Sequence, residues 1–356
     1  MRKEIFIASN YCEDLAKLYY EANFIVNAIV VYNSLNLRKY CRRVFIVKDC
    51  SSESLKKILL KFNPKKISFL LGSGFAEKFD DPNFFCNKYN FGNSIEVNNT
   101  IKSKDFFKIL KKNKINFPQI SFKNHKKNWI VKGQKSYGSL SVKKIKTLNY
   151  ILKENEYSQR FIRGKVISVQ FISENKKIKI ISICEQINLK DEYTIDYLVT
   201  KDITNTYKNK IFKLIEKLTS IFDLNGLNSV ELISEKKKYF LIEINSRPGL
   251  GINIVGKLNG GPFFSKKKKV LKKKILVTKI IYANKNLTIN QRMIKFFKKF
   301  CDSKKFSELP NLGDIIKVNQ PLCLIHISAE NIELLKKEMS NTTQLIERIE
   351  SMQNEK

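Results

Sequence analysis

The sequence predicts an α/β (α+β) chain: a small parallel sheet covered by helices, then a mixed sheet, then a smaller C-terminal α+β segment. Three observations predict it. Over the first hundred positions, short β-branched and aromatic runs alternate with helically spaced apolar residues, the rhythm of parallel strands joined by helices. Between residues 129 and 245 the runs come instead as successive strands separated by turn residues. At 356 residues the chain exceeds one ordinary core, so two or three packed domains are expected.

Lys3 to Ser9 reads as a strand, Glu13 to Glu21 as a helix and Phe24 to Val31 as a second strand, a βαβ opening. Val44 to Val47 gives a third strand and Ser54 to Phe62 an amphipathic helix. Ile67 to Leu71 then runs into Gly72-Ser73-Gly74, a strand ending in a glycine loop; alone, such a loop is more often a tight turn than a phosphate site. The parallel unit is expected to cover residues 1–98. Phe106, Phe107, Ile109 and Leu110 describe one helix from Ile101 to Asn113, which Pro118 stops from continuing.

A second unit is expected over 99–262, with a small subdomain at about 125–165. Trp129 to Val131 is a strand that delivers Lys132 into the loop Gly133 to Ser141. Tyr157 to Ile162, Val166 to Ile172 and Ile178 to Cys184 read as strands, Ile211 to Phe222 as a helix, and Ser229 to Ile233 with Tyr239 to Asn245 as a hairpin. The lysines at 266–269 and 272–274 suit a solvated connector, because like charges that dense repel and stay wet. The third unit, 263–356, opens on a strand at Ile275 to Tyr282 and closes on a helix over roughly Ala329 to Ile349.

Composition narrows the partners. Apolar residues make up 43% and charged residues 28%, the range of a soluble globular protein. The formal charge of +34 would suit an anionic partner, yet 58 of the 67 basic residues are Lys and 9 are Arg. A base-reading protein would use more Arg and interleave aromatics along one basic stripe, so no specific nucleic acid is expected. A basic surface would still attract nucleotides. Seven scattered cysteines without a CxxC point to a reducing, cytoplasmic setting, and His125 and His326 are too isolated for a metal site. No secretory signal and no membrane span are expected, since Asn, Glu and Asp interrupt the first fifteen residues and the longest apolar run is short.

The chemistry concentrates in Glu231 and in Glu243-Ile244-Asn245-Ser246-Arg247-Pro248-Gly249. On a strand, positions 243, 245 and 247 share one face. Glu231 joins them if the hairpin has an odd-length turn. Two carboxylates and a carboxamide are hard oxygen donors, suited to Mg²⁺ that takes its other ligands from nucleotide phosphates and water. The plainer reading, a solvated hairpin face, fits Glu231 alone but not a polar pair set among Leu241, Ile242 and Ile244. Lys132 adds a strand-borne cation before a loop with Gly133, Gly138 and the hydroxyls of Ser136, Ser139 and Ser141, which can wrap phosphates with backbone N–H groups.

These residues resemble the ATP-grasp family of carboxylate–amine ligases, more narrowly its carboligase-like members, some of which accompany one-carbon coenzyme pathways. The matches are WIVKGQKSYGSLSV, YSQRFIRGKVISVQF, GLNSVELI and FLIEINSRPG, with FLLGSGFAEKF, FGNS and LGDIIKVNQPLCLI beyond them. The resemblance implies an ATP-grasp fold with an N-terminal Rossmann-like pre-ATP-grasp domain. It implies ATP and one or two Mg²⁺ ions (Mn²⁺ in their place being acceptable), small-molecule carboxylate and amine substrates, and the homodimer common among such relatives.

By that resemblance Lys132 would contact the ATP phosphates, and Lys104 would be a second phosphate lysine with Lys102 as its competitor. Gln159 and the backbone near Phe161 and Ile162 would form the adenine hinge; Gly138 and Ser139 would belong to the loop closing over the γ-phosphate. Glu231, Glu243 and Asn245 would hold the metal, and Arg247 would stabilise the acyl-phosphate oxygens, with Lys132 beside it as the other catalytic group. The sequence departs from the family at Ser139, where paired glycines are common, and at Arg160, where an acidic residue is frequent. Two other readings compete: a carboxylase that activates bicarbonate, and a non-catalytic basic nucleic-acid binder.

Overall fold

The computed structural model describes residues 2–124, 126–138, 142–145, 150–190, 193–202, 204–235, 238–264, 274–301 and 305–353. His125, Ser139, Ser141 and most of the lysine-rich connector lie outside them.

Strands β1 (Glu4–Ser9), β2 (Ile25–Val30), β3 (Cys41–Ile46) and β4 (Phe69–Leu71) pair in parallel in the order β3-β2-β1-β4. Both faces are covered, so β1, β2 and β4 are almost wholly buried, while the edge strand β3 exposes Arg42, Arg43 and Ile46. Helix α1 (Glu13–Glu21) packs Leu15, Ala16, Leu18 and Tyr19 against Ile5, Ile7, Val26 and Ala28. On the other face α2 (Ser52–Leu59) and the short α3 (Phe75–Lys78) bring Leu55, Leu59 and Phe75 onto Phe6, Ala8 and Ile29. Strand order reverses around β1 and β4, and a sheet of this kind accepts ligands beyond the carboxyl ends at that switch point.

The helix expected from Ile101 to Asn113 is present as α5 (Asp105–Lys112), four residues shorter at its start, and a separate helix, α4 (Ile95–Ile101), precedes it. Ser94 caps α4 by accepting from Val97 N–H, and the break falls at Lys102, whose side chain turns inward. Next comes a small antiparallel sheet in the order β5-β8-β6-β7, from β5 (Ile120–Ser121), β6 (Trp129–Gly133), β7 (Lys143–Lys144) and β8 (Glu156–Arg160).

The large sheet has eight strands, all antiparallel. Five are β9 (Lys165–Glu174), β10 (Lys177–Asn188), β11 (Ile195–Thr200), β12 (Gly226–Glu235) and β13 (Lys238–Asn245). Helix α6 (Asn205–Phe222) buries Ile211, Ile215, Leu218 and Phe222 against one face, in a cluster with Val169, Phe171, Leu232 and Ile244. Helix α7 (Ile252–Asn259) follows β13 and packs Ile252 and Val255 onto the α1 side of the parallel sheet.

The C-terminal residues extend the same sheet. β14 (Ile275–Tyr282) pairs with β11, and after β15 (Leu287–Thr288), α8 (Gln291–Cys301), β16 (Phe306–Ser307) and β17 (Ile315–Ile316) the chain returns as β18 (Pro321–Ala329) beside β14. The sheet order is β13-β12-β9-β10-β11-β14-β18-β16, with α8 and α9 (Ile332–Ser351) covering its far end. His326 on β18 is buried, with its Nε2 3.1 Å from Asp14 at the start of α1, so the two ends of the chain are stapled together.

Candidate active site

The hairpin of β12 and β13 sets Glu231 directly opposite Glu243 and Ser229 opposite Asn245. Its register arises otherwise than through an odd-length turn. Glu235 pairs with Lys238 across two intervening residues, and an unbroken ladder from there would put Ile242 against Glu231. A β-bulge at Ile242 shifts the pairing by one and brings Glu243 into place. Asn245 Nδ2 then lies 3.4 Å from Glu231 Oε1.

The two carboxyls need positive charge. Burial, and then the charge of Glu243, push Glu231 up to about 7. Burial acts on Glu243 in the same direction, but Lys102, Lys132 and Arg247 outweigh it and hold that carboxyl below its ordinary range. Lys102 Nζ is 2.8 Å from Glu243 Oε1, and only 8% of the lysine is exposed. Lys104, two residues on, is exposed and stands over the Phe122 ring at 5.5 Å.

Lys102, Lys132, Gly138, Gln159, Phe161, Ile162, Glu231 and Glu243 line one cavity between the small sheet and the large one. Lys104, Asn245 and Arg247 are not among its lining residues. Lys132 reaches it from β6, where it pairs with Tyr157 of β8. Gln159 on β8 is buried, and its Oε1 has no hydrogen-bond partner; the same holds for Gln186 Oε1 on β10, which also faces the cavity. Buried acceptors without donors are costly, so a ligand carrying N–H groups fits there. Arg160 turns its Nη2 to Glu235 Oε2 at 3.2 Å. In the loop after β6, Ser136 Oγ donates to Gly133 O at 3.0 Å, while Gly138 has φ +63° and open space where a Cβ would stand. Ser139 lies outside the described residues.

Arg247 is tied to the other sheet. Its Nε donates to Glu77 Oε1 at 2.8 Å and its Nη1 to Pro248 O at 3.0 Å. Burial opposes the guanidinium charge, but Glu77, Glu243 and Glu231 more than offset this and raise its pKa. The Gly72-Ser73-Gly74 loop that leads to Glu77 is tightly packed: a Cβ on Gly72 would come within 2.6 Å of Ser9 Oγ. Sequence reading assigns Glu77 no role. Its signal was an acidic residue three positions beyond Gly74 inside an apolar flank, where a carboxylate is buried only with partners.

Glu231, Glu243 and the Asn245 side-chain oxygen are hard oxygen donors set close together, of the kind that could hold a divalent cation, while Lys102 pairs with Glu243. Residues 102–250 match the family model of the ATP-grasp domain. No curated protein matches the chain in sequence. Among solved structures, N5-carboxyaminoimidazole synthetase from Staphylococcus aureus, complexed with ADP, aligns at a TM-score of 0.68 and 10% identity over 96% of this chain and 97% of that one. L-amino acid ligase from Bacillus licheniformis aligns at 0.66 and 13%, over 96% and 97%. Biotin carboxylase from Campylobacter jejuni aligns at 0.66 and 13%, over 95% and 90%. At such identities the likeness is one of fold, and it runs through nearly the whole chain. Residues 102–250 are thus an ATP-grasp domain by their match to the family model, set in a chain whose fold as a whole is like that of these three structures.

Proposed function

We propose that the protein activates a carboxylate as an acyl phosphate with ATP and joins it to an amine, releasing ADP and phosphate. One observation carries this reading: Glu231 and Glu243 face each other across the hairpin, with Lys102 and Lys132 lining the same cavity. Glu231, Glu243 and Asn245 would hold a divalent cation there, which would relieve the repulsion between the carboxyls and supply positive charge for phosphoryl transfer.

The chain's own groups then divide the work. Gln159, with the backbone at Phe161 and Ile162, holds the base, and Lys132 offsets phosphate charge. Gly138 and Ser139 cover the γ-phosphate. A substrate carboxylate oxygen attacks the γ-phosphorus as the bond to the ADP oxygen breaks; Arg247 stabilises the oxygens of the transferred group. The amine nitrogen next attacks the acyl carbon, phosphate leaves with the electron pair, and the nitrogen loses a proton. Small-molecule substrates and a cytoplasmic location complete the reading, the latter supported by cysteines that are free among the described residues.

The test is ADP release from Mg·ATP across a panel of amino acids and amines, with bicarbonate as a separate arm. Amine-dependent release is the expected result, and release with bicarbonate alone would move the reaction to a carboxylase. Glu243→Ala is expected to lower turnover by more than about 100-fold while the protein stays folded by circular dichroism. Wild-type release in that variant would overturn the metal-site assignment.

A further inference from the structure

We propose that Glu77, a residue of the N-terminal parallel sheet, is the positioning residue that aims Arg247 at the reacting oxygens. The proposal rests on the ligase reading above. Only 1% of the Glu77 side chain and 8% of the Arg247 side chain are exposed, and their 2.8 Å contact joins positions 170 residues apart. A buried ion pair of this kind gains little stability over apolar packing, so fold stability alone is a weak reason for it.

Its geometry gives a better one. A guanidinium has five N–H donors in a rigid fork. Glu77 takes Nε–H and Pro248 O takes one hydrogen of Nη1, while Nη2 makes no hydrogen bond among the described residues. Two edges of the fork are therefore pinned and the Nη2 hydrogens are left for an incoming oxyanion. Glu77 is itself held: its Oε2 accepts from Gly74 N–H at 2.7 Å. Only glycine fits at position 74, because its φ is +87° and a Cβ there would stand 2.4 Å from Cys50 Sγ. The chain of contacts runs from the carboxyl end of β4 to the end of the β12–β13 hairpin, so the parallel sheet sets the angle of Arg247, the group that the ligase reading assigns to the transferred phosphoryl oxygens. Asn93 reinforces the same joint by donating to Ser246 O at 2.8 Å.

The test compares wild type, Glu77→Gln, Glu77→Asp, Arg247→Lys and the double variant Glu77→Gln/Arg247→Lys. The probes are Mg·ATP, the twenty amino acids as carboxylates and hydroxylamine as the amine, read as ADP and hydroxamate. Glu77→Gln is expected to lower kcat roughly 10- to 100-fold while KM for ATP changes less than about 3-fold, as misaiming without loss of nucleotide binding requires. Glu77→Asp recovers part of the rate. In the Arg247→Lys background the Glu77→Gln change costs less than about 2-fold, because the group it aims is gone. Equal losses in both backgrounds, or a kcat within about 3-fold of wild type in Glu77→Gln, would overturn the proposal. If Glu77→Gln does not fold, the same comparison with Glu77→Asp decides. A wild-type protein that releases no ADP overturns the ligase reading, and the positioning role with it, whereas an active wild type with indifferent Glu77 variants overturns the positioning role alone.

Discussion

Lys102 and Lys104 stand two residues apart and meet opposite fates. Lys102 is buried on Glu243, whereas Lys104 lies exposed over Phe122. A lysine within the cavity can hand its charge to a triphosphate, so Lys102→Met is expected to raise KM for ATP roughly 10- to 150-fold, the worth of one charged hydrogen bond. Lys104→Ala should stay within about 2-fold; steady-state ADP release checks both. A second prediction concerns Glu13, pushed up to about 7 by burial first and by the charge of Asp14. The folded protein then holds a proton that the unfolded chain, near 4.5, releases. Between those values folding loses stability as pH rises, and Glu308, also raised by burial, acts with the same sign. Urea unfolding is expected to show stability falling between about pH 5 and pH 7, with Glu231 and Glu308 adding to the fall and Glu13→Gln removing a part of it on the order of 2 kcal/mol. A stability that climbs over that interval would contradict the sign.

Among the elements, α1 at Glu13–Glu21 and β14 at Ile275–Tyr282 coincide with the residues the sequence marks, because clean apolar periodicity carries them; α1 has no side-chain cap at Cys12. Helix α7 is not read from sequence: it is short, contains Gly256 and is flanked by Gly251 and Gly260, so its helicity comes from packing on α1. Helix α8 is also missed, although Met293, Ile294 and Phe297 recur at helical spacing and are buried. The bulge at Ile242 has no signature in the sequence, since nothing in the residue types distinguishes it from an even-turned ladder. At the start of β12, Gly226 has φ +68° and leaves only 2.4 Å between a would-be Cβ and Phe91 O. Gly226→Ala is therefore expected to cost about 2–3 kcal/mol in denaturant unfolding, against about 1 kcal/mol for Gly260→Ala, where φ is +75° but space is open.

For the molecule as a whole, a charge of +34 leaves two kinds of anion to separate by experiment. An ATP site predicts stabilisation by Mg·ATP of about 2.7 kcal/mol at 100 times Kd, seen as a rise in Tm. Steeply salt-dependent binding to random duplex with no nucleotide shift would instead favour the nucleic-acid reading. No helix among the described residues is long and apolar enough to cross a membrane. The sequence by itself determined the α/β class and most of the strands, because period-two and helical spacing are local patterns, and its carboxylate–amide–arginine strand carried the resemblance to ATP-grasp enzymes. Only the tertiary structure decided which lysine enters the cavity, how a bulge sets two carboxyls face to face and that Glu77 meets Arg247. Those are contacts between residues up to 170 positions apart, and local spacing carries no information about them.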